Sequence, residues 1–335
     1  MALSSQLHRT LKPFRALSSS IAHRLSFAST AQPQSNDPSS SNAFVFSSPN
    51  DDAGAEKNDD VIFLKANRKS SSSSSSVSDG HSVSMPTSFM TGSIIGKRFY
   101  KEVTTRVADD GNGWSVMLDY RTLKTPTKRP LKLPTLGLAK AVAAEWEYQQ
   151  KDGIRPFTMP LMRLACTALE RVPVTRPKII ENLMKKFNQD LVFCRAPEDH
   201  TWTNEVLDRQ VEKIDPLLDW VKSEFGVKPI LYTSIFGGKQ DDRLVKAVED
   251  LLKKTDDCEL AAIDAMAAAG HSLIIAIAIF RGKLQIEEAL ELIRLEEDLQ
   301  VERWGLVEGG HDVDIADLRV EISSAAVFLG LSRRV

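Results

Sequence analysis

Hydrophobic and polar positions follow three different patterns along the 335-residue chain. Up to about residue 96, single apolar residues are scattered among serines and other polar residues. Between residues 99 and 133 they alternate in short runs, and beyond residue 158 they recur every three or four positions. Alternation is typical of strands that bury one face, and the longer period is typical of helices. The pattern predicts an α+β fold: a small antiparallel sheet with a covering helix, followed by an all-α helical bundle.

The alternating runs predict a β-hairpin that is extended by further strands. Runs at residues 99–107 and 114–120 are separated by a polar, glycine-containing turn at residues 109–113, which is a hairpin signal. Two more short runs, at residues 121–125 and 131–133, extend the sheet, and prolines follow or precede them. Proline ends strands because it cannot donate to the hydrogen-bond ladder.

A helix from Thr135 to Gln150 is predicted to cover this sheet. Thr135 is a favourable N-cap residue, and Trp146 lies on the apolar stripe of the helix. We therefore assign residues 97–158 to an N-terminal α+β domain and give Trp146 a structural role in its core.

The helical periodicity assigns residues 159–335 to a C-terminal helical domain. Gly305 is expected to end the sixth helix of this domain, because glycine favours a helix stop. Pro216 is a candidate break within the third helix. Two segments, residues 191–194 and 230–236, are predicted to be extended instead. The seven predicted helices are residues 160–172, 178–188, 206–225, 241–254, 258–280, 286–304 and 315–329.

Composition divides the first 96 residues into two segments. Residues 1–36 hold four Lys or Arg, no Asp or Glu, and many serines between apolar residues, which is typical of an organellar transit peptide. Residues 37–96 are dominated by Ser, Asn, Asp and Gly, so this segment cannot bury enough apolar surface to fold. We predict import into an organelle, a disordered Ser-rich leader, and a folded region that begins near Lys97.

Charge and hydropathy exclude several kinds of partner. Without residues 1–36 the chain has 39 basic and 45 acidic residues, a net charge of −6. Its basic residues are scattered, so nucleic acid is not expected as a partner. The three cysteines form no CxxC pair, which argues against a zinc site or a disulfide framework. The most apolar segment, residues 260–280, is interrupted by Asp264 and His271, so we expect no membrane insertion.

Motifs for catalysis or cofactor binding are absent from the sequence. It contains no glycine-rich phosphate loop, no GxGxxG and no GxSxG. The best metal candidate is the pair Glu308 and His311, which has the i, i+3 spacing of di-iron bundles. Gly309 and Gly310 interrupt the helix that this spacing requires, and no second copy is present. We expect no cofactor and no metal, and keep as the alternative a small metalloprotein or enzyme built on the C-terminal helices.

The predicted helix at residues 286–304 carries a carboxylate within an apolar stripe. At about 100° per residue, Glu297 falls among apolar residues such as Ile293 and Val301, while a strip of leucines lies roughly opposite. A carboxylate in an apolar stripe has to be paired, protonated or held for a partner, because burying it alone is costly. An internal salt bridge and a partner-facing role both stay open for Glu297. Gln300 lies at the edge of the same stripe.

Six short motifs stand in a characteristic order along the chain. They are KRFYKEV at residues 97–103, LDYRTLKTP at 118–126, EW at 145–146, TMPL at 158–161, LEEDLQ at 295–300 and WG at 304–305. In this order they resemble a family of mitochondrial chaperones that bind the α subunit of the F(1) sector of ATP synthase. The resemblance spans residues 97–335, nearly the whole predicted folded region.

The resemblance implies a protein without catalytic activity that holds the free α subunit. Such a chaperone prevents aggregation of the α subunit, without ATP, until the β subunit replaces it. The implied location is the mitochondrial matrix, although a Ser-rich leader leaves chloroplast import open, and we expect the free chaperone to be monomeric. The family pattern places client binding at Glu296, Glu297, Gln300 and Trp304, followed by a structural Gly305. We favour Glu297 over Glu296, because Glu296 lies outside the apolar stripe.

Overall fold

The computed structural model describes residues 82–84, 96–198, 201–234 and 236–333. The predicted transit peptide at residues 1–36 lies outside the described residues, and so does most of the predicted leader at residues 37–96. The predicted α+β class is confirmed, because a small sheet is followed by a long helical region. The proposed domain boundary near residue 158 stays a prediction.

The sheet has four strands in the order β1-β4-β3-β2. β2, β3 and β4 pair antiparallel, with Val103 opposite Leu118 between β2 and β3, as the alternating pattern predicted. β1 pairs in parallel with β4, so the sheet is mixed at one edge. The strands are β1 Ser82–Ser84, β2 Val103–Val107, β3 Trp114–Leu118 and β4 Arg121–Lys124.

β1 lies inside the segment at residues 37–96 that composition predicts to be a disordered leader, and the extent of this leader stays a prediction. Composition measures whether side chains can form a core. An edge strand can instead be held by its main chain, because the open edge of β4 presents backbone donors and acceptors. The pairing of Ser82 with Thr122 and of Ser84 with Lys124 is of this kind.

Helix α1, Leu136–Glu147, covers the sheet as predicted. The Oγ1 atom of Thr135 accepts the N–H of Leu138 at 3.1 Å and caps the helix. Trp146 is fully buried, and its ring meets that of Tyr100 edge to face with centroids 5.8 Å apart. The Tyr100 hydroxyl donates to the carbonyl of Trp146 at 2.6 Å. These contacts fasten the entry of the folded chain to the end of α1.

Helices α2, Pro160–Cys166, and α3, Val172–Phe187, form one continuous helical stretch through a π turn at Thr167–Arg171. The sequence predicted two separate helices here, at residues 160–172 and 178–188; that prediction is wrong. The π turn shifts the helical hydrogen bonds by one residue, so that the N–H of Val172 reaches the carbonyl of Thr167. The helix continues with Pro177 on its exposed side.

The remaining helices complete the C-terminal region. Pro216 does not split α4. In the two segments predicted to be extended, the residues that the structure describes form no strand: Leu191–Phe193 is a 3-10 turn, and Tyr232 makes a single bridge to Cys194. The helices are α4 Thr201–Phe225, α5 Asp242–Lys254, α6 Asp257–Ala269, α7 Leu273–Phe280, α8 Ile286–Trp304 and α9 His311–Ser332.

The break between α6 and α7 corrects the prediction of a single helix over residues 258–280. His271 adopts a positive φ of 50°, and the Ser272 side chain caps α7 by accepting the N–H of Ile275 at 3.0 Å. Asp190, which is buried, accepts the N–H of Ile274 at 3.0 Å. Burial raises the pKa of Asp190 to about 6, against the effect of the hydrogen bonds it accepts. The cap that starts α7 therefore comes partly from a residue more than eighty positions away in sequence.

α6 and α7 form the centre of the helical region. Nearly all residues of α7 are buried, and α6 packs against α3, α7 and α9. α9 packs against α6, and its buried apolar residues, Ile322, Ala325, Phe328 and Leu329, all lie in its second half. None of the helices within the described ranges is long and apolar enough to cross a membrane.

Replacement of Trp146 by alanine should destabilise the protein by about 3–5 kcal/mol, because it empties a large buried volume. Chemical denaturation measures this decrease in the free energy of unfolding. Tyr148→Ala is the matched control, since Tyr148 ends the same helix with 85% of its surface exposed; this variant should stay close to the wild type. Unchanged stability of Trp146→Ala would remove Trp146 from the core.

Glu145 should make stability depend on pH. Its two carboxylate oxygens accept the N–H groups of Leu161 and Met162 at 2.7 and 2.8 Å at the start of α2, yet burial raises its pKa from 4.5 to about 7. A raised folded-state pKa favours the folded protein at low pH, and this contribution is lost as pH rises from 4.5 to about 7. The amplitude is at most about 3 kcal/mol.

Denaturation of wild type and Glu145→Gln across this pH range measures the contribution of Glu145. The free energy of unfolding of the wild type should fall more steeply with rising pH than that of Glu145→Gln. The control variant Glu147→Gln, at an exposed neighbour, should show the same pH dependence as the wild type. Parallel curves for wild type and Glu145→Gln would contradict the raised pKa.

Candidate functional site

Helix α8 buries its leucine strip, and of the stripe that contains Glu297 it buries Leu290. Its buried residues include Leu292, Leu295 and Leu299. Of the stripe around Glu297, Ile293 is half-buried and Glu297 itself is exposed. The expectation that Glu297 sits in an apolar environment is therefore wrong. The period of the sequence offered two apolar faces. The bundle covers the leucine strip and, on the other face, Leu290 and part of Ile293, but it leaves Glu297 at the surface.

Glu297 is held by an arginine of its own helix. The Arg294 guanidinium, which is itself buried, donates to Glu297 Oε2 at 2.7 Å and to Asp298 Oδ1 at 2.9 Å. The two carboxylates stand on the surface side of this guanidinium, each with nearly half of its side chain exposed. The internal ion pair that the sequence left open is thus present, but at the surface, and Glu297 stays accessible to a partner.

Glu296 faces the neighbouring helix α4. Its Oε1 accepts a hydrogen bond from Gln210 Nε2 at 2.9 Å. Gln210 is almost fully buried, and its own Oε1 accepts the N–H of Ala196 at 2.9 Å. Glu296 therefore belongs to a polar contact between α8, α4 and the chain that precedes α4.

Ion pairs fasten the C-terminal half of α8 to the N-terminal half of α4. Arg209 contacts Glu302 at 3.1 Å, and Arg303 contacts Glu205 at 3.3 Å. Both pairs are exposed, so each contributes little to stability. Together with the contact of Gln210 they fix the position of the end of α8 on the bundle.

Trp304 is the last residue of α8 and is 64% exposed. Gly305 follows with a φ of 87°, a conformation that favours glycine, and ends the helix. Leu306 and Val307 are also exposed, so the three large apolar side chains that flank Gly305 face the solvent. We call residues 304–307 the apolar turn. Gln300 lies one turn before Trp304 and is half-buried.

The structure thus separates the residues that the sequence grouped. Glu297 and Trp304 are accessible, while Glu296 and Gln300 are partly covered. Helical periodicity does not point to Leu306 and Val307, because both lie beyond the end of the predicted helix. The available signal was a pair of large apolar residues directly after a glycine stop, where a polar loop is the norm.

The metal candidate at Glu308 and His311 has a structural explanation. His311 Nδ1 accepts the backbone N–H of Val307 at 3.3 Å and so closes the loop between α8 and α9. Throughout residues 96–198, 201–234 and 236–333, no group of three His, Cys, Asp or Glu side chains is placed to hold a metal ion.

Comparisons with known proteins define the class to which this fold and surface belong. The family model described as ATP12 chaperone protein matches residues 97–222. The crystal structure of Atp12 from Paracoccus denitrificans superposes with a TM-score of 0.64 at 31% sequence identity, covering 71% of this chain and 99% of that chain. The chain belongs to the ATP12 chaperone family.

Two curated relatives extend the comparison to eukaryotes. Protein atp12, mitochondrial, of Schizosaccharomyces pombe is 26% identical over 241 residues, which cover 69% of this chain and 81% of the relative. Protein ATP12, mitochondrial, of Saccharomyces cerevisiae is 22% identical over 269 residues, covering 69% and 83%. The relatives are therefore matched over most of their length.

The two neighbouring carboxylates should differ in their effect on stability. Glu297→Ala should cost less than about 1 kcal/mol, because it removes an exposed partner and leaves Asp298 on Arg294. Glu296→Ala removes the carboxylate that accepts a hydrogen bond from the buried amide of Gln210, and should destabilise the protein by about 1–3 kcal/mol. Chemical denaturation of both variants measures the free energy of unfolding. A larger loss of stability in Glu297→Ala than in Glu296→Ala would contradict this geometry.

Proposed function

We propose that this protein is an ATP-independent assembly chaperone for the F(1) sector of mitochondrial ATP synthase. It holds the free α subunit and prevents its aggregation until the β subunit takes its place. In this role it acts in the mitochondrial matrix and catalyses no reaction. The observation that carries the proposal is the apolar turn, which a member of the ATP12 chaperone family exposes at the end of α8.

The apolar turn has the properties that client binding requires. A subunit awaiting its neighbour exposes the apolar surface that the neighbour will cover, and that surface aggregates unless another protein covers it. Trp304, with Leu306 and Val307, offers apolar area at the surface, and tryptophan is over-represented at the energetic centres of interfaces. The ion pairs and the contact of Gln210 hold this area in one position, which lowers the entropy cost of binding.

Glu297 is the charged part of the proposed client surface. It lies on α8 two turns before Trp304 and is exposed. Because Arg294 is buried and shared between Glu297 and Asp298, the three residues together carry one negative charge. This charge can pair with a basic group on the α subunit.

Location in mitochondria is supported by two observations. The first 36 residues have the basic, Ser-rich composition without acidic residues that is typical of transit peptides. The relatives from the two yeasts are both named as mitochondrial proteins. Imaging of residues 1–96 fused to a fluorescent protein distinguishes mitochondria from chloroplasts, and a chloroplast signal would overturn the proposed location.

The function is tested by aggregation of purified α subunit, followed by light scattering with and without the chaperone and in the absence of ATP. Wild type should suppress scattering at stoichiometric amounts. Trp304→Ala and Glu297→Gln should fold normally and suppress it less, with affinity losses of about 2–5 kcal/mol if the contacts become fully desolvated. Tyr120→Ala, at an exposed aromatic residue of the sheet, is the control.

A wild-type protein that neither suppresses scattering nor forms a complex with the α subunit would contradict the proposed function. If Trp304→Ala and Glu297→Gln both kept full activity, the client would bind elsewhere on the chaperone.

A further inference from the structure

Helix α9 exposes an apolar stripe that continues from the apolar turn. Val313, Val320 and Val327 are exposed by 56%, 52% and 44%. They are seven residues apart, so they lie within about 40° of one another around the helix. Three large apolar residues at this spacing on one exposed face are typical of a helix surface that pairs with another segment.

The stripe is held in place by the opposite side of the same helix. Ile322, Ala325 and Phe328 are buried against the bundle, so α9 cannot turn its valines inward. The stripe is therefore a fixed feature of the surface. We call Val313, Val320 and Val327 the valine stripe.

Acidic residues accompany the apolar turn and the start of the valine stripe. Residues 305–318 contain four carboxylates and neither Lys nor Arg. Arg319, which follows, contacts Glu287 on α8 at 2.9 Å. Within the described part of the chain, the four carboxylates form no ion pair. They are Glu308, Asp312, Asp314 and Asp317.

A role in helix stability explains only some of these charges. Asp312 and Asp314 lie in the first turn of α9, where acidic residues favour the helix dipole. Asp317 lies in the next turn and at the edge of the valine stripe, and the dipole effect has decayed there. Nor does helix stability account for exposed valines, which are weak helix formers.

We infer that the apolar turn and the valine stripe bind a basic amphipathic segment of the client, with Asp314 and Asp317 receiving its Lys or Arg side chains. Charge complementarity selects this occupant, because the apolar surface is bordered by unpaired carboxylates. A second copy of this chain docking through the same face would bring acidic residues against acidic residues. This inference rests on the proposed function for the identity of the client, but the chemistry of the segment follows from the surface itself.

Two double variants separate the charged and the apolar part of the surface. Asp314→Lys/Asp317→Lys reverses the charge and leaves the valines; Val313→Ser/Val320→Ser removes apolar area and leaves the charges. All four residues are exposed, so both variants should fold. The matched controls are Glu102→Lys, at an exposed acidic residue beside β2, and Val174→Ser, at a valine of α3 that is 69% exposed.

Binding is measured with the full-length α subunit and with two short synthetic amphipathic peptides, one of Leu and Lys and one of Leu and Glu. The wild-type chaperone should bind the α subunit and the Lys peptide, with affinity that falls as salt rises, and should not bind the Glu peptide. Each double variant should lose about tenfold or more in affinity for both ligands, while the controls stay unchanged.

The outcomes distinguish the two proposals. Binding of the α subunit that both double variants retain would overturn the inference and leave the proposed function intact. Failure of the wild type to bind the α subunit, with selective and variant-sensitive binding of the Lys peptide, would overturn the proposed client and support the inference. Equal binding of both peptides by the wild type would overturn the inference.

Discussion

The burial of α6 and α7 is the constraint on which the rest of the helical region depends. α7 is apolar on nearly every side, so it has to be enclosed. α6 lies beside it and also packs against α3 and α9. The fully buried residues of α9 lie in its second half, while Val313 and Val320 in the first half are exposed to solvent. The proposed client surface is thus a consequence of how the core is closed.

A second consequence concerns the end of α8. The helix packs through leucines in its middle and is fixed to α4 by the contact of Gln210 and by exposed ion pairs. The apolar turn then follows at a glycine with a positive φ. A chaperone that has to release its client benefits from this arrangement, because a small, pre-positioned apolar surface bordered by charges can bind without refolding of the chaperone.

Sequence periodicity predicted the class of fold and most helix positions, because period two and period 3.6 are properties of local segments. It failed where the local structure depends on a residue that is distant in sequence. The break between α6 and α7 depends on Asp190 capping α7 from far along the chain. Gly270 lies at this break and packs against Ile293 of α8, where an added Cβ atom would come within 2.8 Å of the Ile293 side chain.

Sequence periodicity was limited in the same way at the candidate site. Periodicity could place Glu297 relative to its helix neighbours, but it could not tell that the bundle covers Leu290 and Ile293 of the same stripe and leaves Glu297 at the surface. The exposed valines of α9 were equally hidden, since a valine in a helical pattern is expected to be buried. Only the tertiary contacts of Phe328 and its neighbours show that those valines lie on the other side.

Hydrogen–deuterium exchange of the chaperone with and without bound α subunit tests the central claim most directly. Slower exchange is predicted in residues 304–327, which include the apolar turn and the valine stripe, with little change in α6 and α7 because they are already buried. Slower exchange confined to the sheet or to α5, with residues 304–327 unaffected, would contradict the claim that the α8–α9 surface receives the client.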